Sequence, residues 1–119
     1  MTSDEYAALA NKRIASVVNA TDDRWTPGAA LLAAMVGDRI TGPGAEYVVS
    51  DRVQLVEIKP VSELLTDIRE EVSDEVAYVV ALRHRHPELS ADADTIISLS
   101  VQAMDCLTRM EKALAEVNA

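Results

Sequence analysis

Residues 61–117 contain no glycine and one proline, Pro87. Apolar residues that recur at helical spacing through such a stretch meet a breaker only there, so the second half of the chain reads as two long helices joined near Pro87. The first opens at Pro60 and runs to about His86. Its Val61, Leu65, Ile68, Val72, Val76 and Val79 fall in one stripe. Arg83, His84, Arg85 and His86 occupy its last turn, where cations suit the helix dipole. Ser90 is placed to cap the second helix, with Asp92 and Asp94 in its first turn. Ile96, Ile97, Val101, Met104, Leu107, Met110, Leu114 and Val117 give that helix an apolar face ~160° wide.

These lengths have a consequence. At ~1.5 Å per residue each helix is roughly 40 Å long, whereas a compact domain of 119 residues has a radius of gyration of about 13–14 Å. A hairpin of this length projects, and a broad apolar face on it needs cover. The expectation is a homo-oligomer, a dimer favoured, whose long helices form a bundle.

The first half is built differently. Thr2 and Glu5 have the spacing of a capping box, and Tyr6, Leu9, Ala10, Ile14, Val17 and Val18 continue from it as one helical face to about Asn19. Thr26-Pro27 marks a second helix start, with Ala30, Leu31, Ala34 and Met35 as its buried side and Gly42-Pro43-Gly44 as its end. Glu46 to Ile58 is rich in Val and reads as a short β-hairpin near residues 47–58, with arms at Tyr47–Val49 and Val53–Ile58. The fold class is therefore mainly α. It is a single domain over 1–119, in which two helices and a small hairpin (1–58) pack with a long antiparallel helical hairpin (60–119). With no Phe and one Trp, the core is made of Ala, Val, Leu, Ile and Met.

The chain carries 20 acidic against 11 basic residues, a net charge of −9. The first 59 residues hold 8 acids and 6 bases, the rest 12 and 5, so the excess belongs to the long helices. Phosphate neutralisation needs clustered Lys and Arg, which excludes a general nucleic-acid binder. No apolar run approaches the ~18 residues of a membrane span. The acidic start lacks the pattern of a secretory signal, and Cys106 is the only cysteine, so a cytoplasmic location is expected.

Asp67, Glu70, Glu71 and Asp74 lie at i, i+3, i+4 and i+7, a spacing that lines carboxylates along one side of a helix. Such a cluster is suited to Mg²⁺ and to metal-assisted attack on a nucleotide. The run from Glu70 to Leu82, followed by Pro87-Glu88-Leu89, resembles one half of the MazG-like all-α NTP pyrophosphohydrolases. Glu71 and Asp74 match that family's E-x-x-D, and Tyr78 and Leu82 its aromatic and aliphatic continuation. The resemblance covers about 20 residues. It implies an oligomeric helical bundle that cleaves a nucleoside triphosphate to monophosphate and pyrophosphate with Mg²⁺. The family's E-x-x-E element on the preceding helix has no counterpart in this sequence.

By the same wheel, Asp67, Glu70 and Asp74 point away from the apolar stripe, while Glu71 and Glu75 lie between the two faces. Three readings follow. The stripe from Glu63 to Glu75 is a solvated face of an interaction or accessory protein that needs no cofactor; or a partner subunit encloses it as a metal site; or it meets a basic protein, as an inhibitor or DNA mimic does. Trp25 serves as a hydrophobic staple before the second helix or as an interface anchor. His84 and His86 lie ~200° apart on a helix and do not converge. Cys106 reads as a packed thiol. Neither a P-loop ending nor a G-x-S-x-G context is present.

Overall fold

The computed structural model describes residues 1–21, 26–42, 48–50 and 53–117. The chain divides into two compact units, Met1–Lys59 and Pro60–Ala119. Trp25, Tyr47 and the turn at Gly44 lie outside the described residues.

The first unit begins with α1 (Ser3–Thr21), two residues longer than its apolar pattern. Its capping box is made as the spacing requires: Glu5 N–H donates to Thr2 Oγ1 at 3.1 Å, and Thr2 N–H to Glu5 Oε1 at 3.5 Å. Helix α2 (Pro27–Thr41) opens on Thr26, whose Oγ1 accepts from Ala29 N–H at 3.1 Å, with Pro27 in the first turn. The buried side of α2 is not the one expected. Ala30, Leu31, Ala34 and Met35 are exposed, while Ile40 is buried and Ala29, Ala33, Val36 and Gly37 are half-buried. The covered face lies about one residue round the helix from the expected one, and Ala33, Ala34 and Gly37 line an open cleft with Ala7, Ala8 and Asn11 of α1.

Strands β1 (Val48–Ser50) and β2 (Val53–Gln54) pair antiparallel, as the hairpin reading requires. The second arm, however, ends at Gln54. Leu55–Ile58 is a helical turn, α3, rather than strand. The cause is Glu57, whose carboxylate accepts the Gln54 N–H at 2.7 Å and so starts a helix where β-branched content suggested a strand. The same carboxylate pairs with the Met1 amine at 3.0 Å. The Gln54 side chain is fully buried; its Nε2 donates to Ser3 Oγ at 3.2 Å and to the Met1 carbonyl at 3.4 Å, and its Oε1 has no partner among the described residues. One buried amide therefore joins the start of α1 to the end of the β-hairpin.

The second unit is an antiparallel helical hairpin of α4 (Val61–Arg85) and α5 (Ser90–Val117), joined by a 3₁₀ turn at Pro87–Leu89. Ser90 is not the cap that the sequence suggested. Its backbone is already helical, and its hydroxyl donates back to the Pro87 carbonyl, because the 3₁₀ turn runs into α5 without a break. Two ion pairs cross the hairpin, Arg69 with Glu111 and Arg83 with Asp94, each at 2.8 Å. Their registers differ by three residues, within the reach of long arginine side chains, and together they bracket which levels of the two helices face each other.

Two outcomes are expected. The Gln54 N–H, and after it the Met1 amine, hold the Glu57 carboxyl below its ordinary value of 4.5. A group so lowered stabilises the fold fully above pH 4.5, and that contribution is lost as pH falls through the lower folded-state value. Glu57→Gln removes it, so the stability gap between parent and variant, read from denaturant melts, is full at pH 6–7 and closes on the acid side. In the second unit, Leu107 is 5% exposed, and Leu107→Ala lowers the unfolding free energy by about 2–5 kcal/mol in the same assay.

Candidate functional site

Packing between α4 and α5 uses one heptad seam from each helix. On α5 it comprises Ala93, Ile97, Ser100, Met104, Leu107, Glu111 and Leu114; Ala93, Ser100 and Leu107 are buried, and the Ser100 hydroxyl is satisfied by the Ile96 carbonyl at 2.8 Å. On α4 it comprises Leu65, Arg69, Val72, Val76, Val79 and Arg83, with Leu65 buried and the three valines half-buried. Arg69 and Arg83 belong to this seam and reach the ion pairs that border it.

A second seam lies one residue earlier on each helix. On α5 it reads Ile96, Leu99, Ala103, Cys106, Met110, Ala113 and Val117, without a charge over 22 residues. Apart from half-buried Ala103, all are exposed, Leu99 by 57% and Val117 by 80%. On α4 it reads Leu64, Ile68, Glu71, Glu75, Tyr78 and Leu82, half-buried at Leu64 and exposed elsewhere, Tyr78 by 78%. One residue is a step of about 100° around a helix, taken in the same sense on both. Because the helices are antiparallel, equal steps bring both outer seams to the same side of the hairpin. Apart from exposed Val101, the broad apolar face read from the α5 sequence is thus two seams, one covered by α4 and one open.

The whole chain exposes 8854 Å². Two independent folded units of half its mass would expose only about 7,600 Å². Large apolar side chains stand exposed on the outer seams, at Leu31, Leu32 and Met35 of α2, and elsewhere at Leu9, Val17, Val61, Val80, Leu89 and Val101.

The acidic residues take distinct places. Asp67 is half-buried; Glu63, Glu70, Glu71, Asp74 and Glu75 are exposed. Glu71 and Glu75 stand in the middle of the α4 outer seam, while Glu70 and Asp74 are turned farther round the helix. Among the described residues no three His, Cys, Asp or Glu side chains come together to hold a metal ion, so a single chain does not gather the expected carboxylate set. Cys106 is exposed rather than packed, because it belongs to the outer seam, and it accepts from Arg109 Nη2 at 3.2 Å. His84 and His86 are both exposed and diverge; His86 Nδ1 lies 2.9 Å from Glu88 Oε1. The Glu88 carboxyl is held below its ordinary value by its own backbone N–H and then by His86. Sequence periodicity at 100° per residue blurred the two seams into one face; the signal that separates them is the uncharged heptad repeat from Ile96 to Val117.

No described helix is long and apolar enough to cross a membrane. No protein-family model matches the chain, and no curated protein or solved structure is similar to it.

Because they point to solvent, Glu70→Ala and Asp74→Ala each change the unfolding free energy by less than about 0.5 kcal/mol, as measured by chemical denaturation.

Proposed function

We propose that the chain is a small acidic cytoplasmic interaction or accessory protein that works as an oligomer, using the outer seams of α4 and α5 as its contact surface. The observation that carries this reading is the uncharged, exposed heptad repeat on α5. A monomeric soluble protein rarely leaves a contiguous apolar surface of this extent open, and helices with two seams are the building blocks of bundles. The test is sedimentation across 1–100 µM. The parent associates with rising concentration, and the Leu99→Gln/Met110→Gln variant, with unchanged far-UV circular dichroism, does not. A parent that stays monomeric throughout removes the reading.

A second reading follows from Glu71, which sits on the open α4 seam where an associating subunit would enclose it. On that reading the chain is a divergent MazG-like pyrophosphohydrolase, with Glu71 and Asp74 as metal ligands assisted by Asp67 and Glu70. Millimolar Mg²⁺ then raises the Tm of the parent, and pyrophosphate release from nucleoside triphosphates is lost in Asp74→Ala. An unchanged Tm and no pyrophosphate from the parent leave the interaction reading alone.

A further inference from the structure

We propose that the occupant of the open face is a second copy of this chain, held by a two-fold axis that runs along the helices, so that α4 of each copy lies on α5 of the other. This rests on the interaction reading above and specifies the partner and the pairing.

The area fits. The exposed parts of the outer-seam side chains sum to an apolar surface on the order of 1,000 Å² per copy, against about 800 Å² per partner in a stable interface. A two-fold pairing of like faces buries this surface on both sides at once and closes, which a head-to-tail contact does not.

The pairing follows from what stands at each level. The ion pairs Arg69–Glu111 and Arg83–Asp94 set the levels within one hairpin. On the register of Arg83–Asp94, Tyr78 stands level with Leu99, and Ile68 and Leu82 stand within one residue of Met110 and Ile96. Between them, Glu71 and Glu75 stand level with Cys106 and Ala103. The bulkiest charged pair on α4 is therefore matched by the smallest stretch of the α5 seam.

Two pairings of the faces are consistent with a two-fold. An axis across the helices lays α4 on α4 and α5 on α5. It brings Glu71 and Glu75 of both copies together at the centre, and neither outer seam supplies a Lys or Arg to pair with four carboxylates. An axis along the helices preserves levels and lays α4 on α5. The glutamate stems then pass over Ala103 and Cys106 of the other copy, Leu64 meets Ala113, and Ile68, Tyr78 and Leu82 meet large apolar residues. The second arrangement leaves no like charges face to face across an adjacent helix pair.

The test uses the full chain. Sedimentation first establishes whether the parent associates; if it does not, the interaction reading and this proposal fall together. If it does, two single variants, Ile68→Cys and Met110→Cys, are made in a Cys106→Ser background, mixed, and oxidised mildly. The proposal expects a covalent dimer from the mixture and none from either variant alone. It also expects no disulfide in the oxidised parent, because the two Cys106 thiols stand across the bundle diagonal, beyond the ~7 Å Cα separation that a disulfide spans. A Cys106–Cys106 dimer in the parent, or cross-linking of Ile68→Cys with Tyr78→Cys but not with Met110→Cys, assigns the axis across the helices and overturns the pairing while leaving the interaction reading intact. An unmodified control covers variants that misfold: maleimide labelling of Cys106 in the parent slows at least tenfold between dilute and concentrated protein. A labelling rate independent of concentration overturns the proposal.

Discussion

The antiparallel register of α4 on α5 is the constraint from which the rest of the second unit follows. It is set by a seam in which Leu65, Ala93, Ser100 and Leu107 are buried, bordered by Arg69–Glu111 and Arg83–Asp94. Ion pairs as exposed as these contribute little to stability. Their effect is on level: a shift of one helical turn would part both pairs and move Leu107 out of its buried place. Once the level is fixed, the second apolar seam of each helix has nowhere to go but the same side of the hairpin.

The first unit solves a smaller problem with polar groups. Between α1 and α2, alanines, a glycine and the polar Asn11, Asp38 and Thr41 line an open cleft, and Ile40 is the buried apolar residue of α2. The start of α1 is tied to the hairpin by the buried Gln54 amide and by the Glu57 carboxylate, which also starts α3. This explains a buried glutamine in a chain with little core: its bonds to Met1 and Ser3 do the joining that large side chains do elsewhere.

Local rules were read from the sequence most securely. The Thr2–Glu5 box, the Thr26-Pro27 start, the stop at Pro87 and the long helices on either side are decided by residues within a turn of one another. What sequence reasoning missed depends on contacts between elements. Periodicity places Ala30, Leu31, Ala34 and Met35 on the buried side of α2, whereas the structure covers Ala29, Ala33, Val36, Gly37 and Ile40; both sets repeat at helical spacing, and only the position of α1 decides between them. The second strand was extended to Ile58 because Leu55, Val56 and Ile58 favour strands, whereas one carboxylate three residues past Gln54 turns them into helix. The α5 face was seen as one because 100° periodicity sums two adjacent seams, and only the partner helix shows which is covered. Carboxylates at i, i+3, i+4 and i+7 share a helix side, yet among the described residues no three acidic, His or Cys side chains come together as a metal cluster.

The turn between the long helices bears on whether the hairpin stays closed. Hairpins with short connections are prone to exchange: the turn straightens, the two helices fuse into one, and each copy completes its neighbour's inner seam instead of its own. Pro87 stands where that fused helix would need a backbone donor, and its ring would strike the carbonyl one turn earlier, at Arg83. The open form is penalised at the hinge itself. Each chain is thereby committed to closing its own inner seam, and the two long helices stay a hairpin rather than one continuous rod.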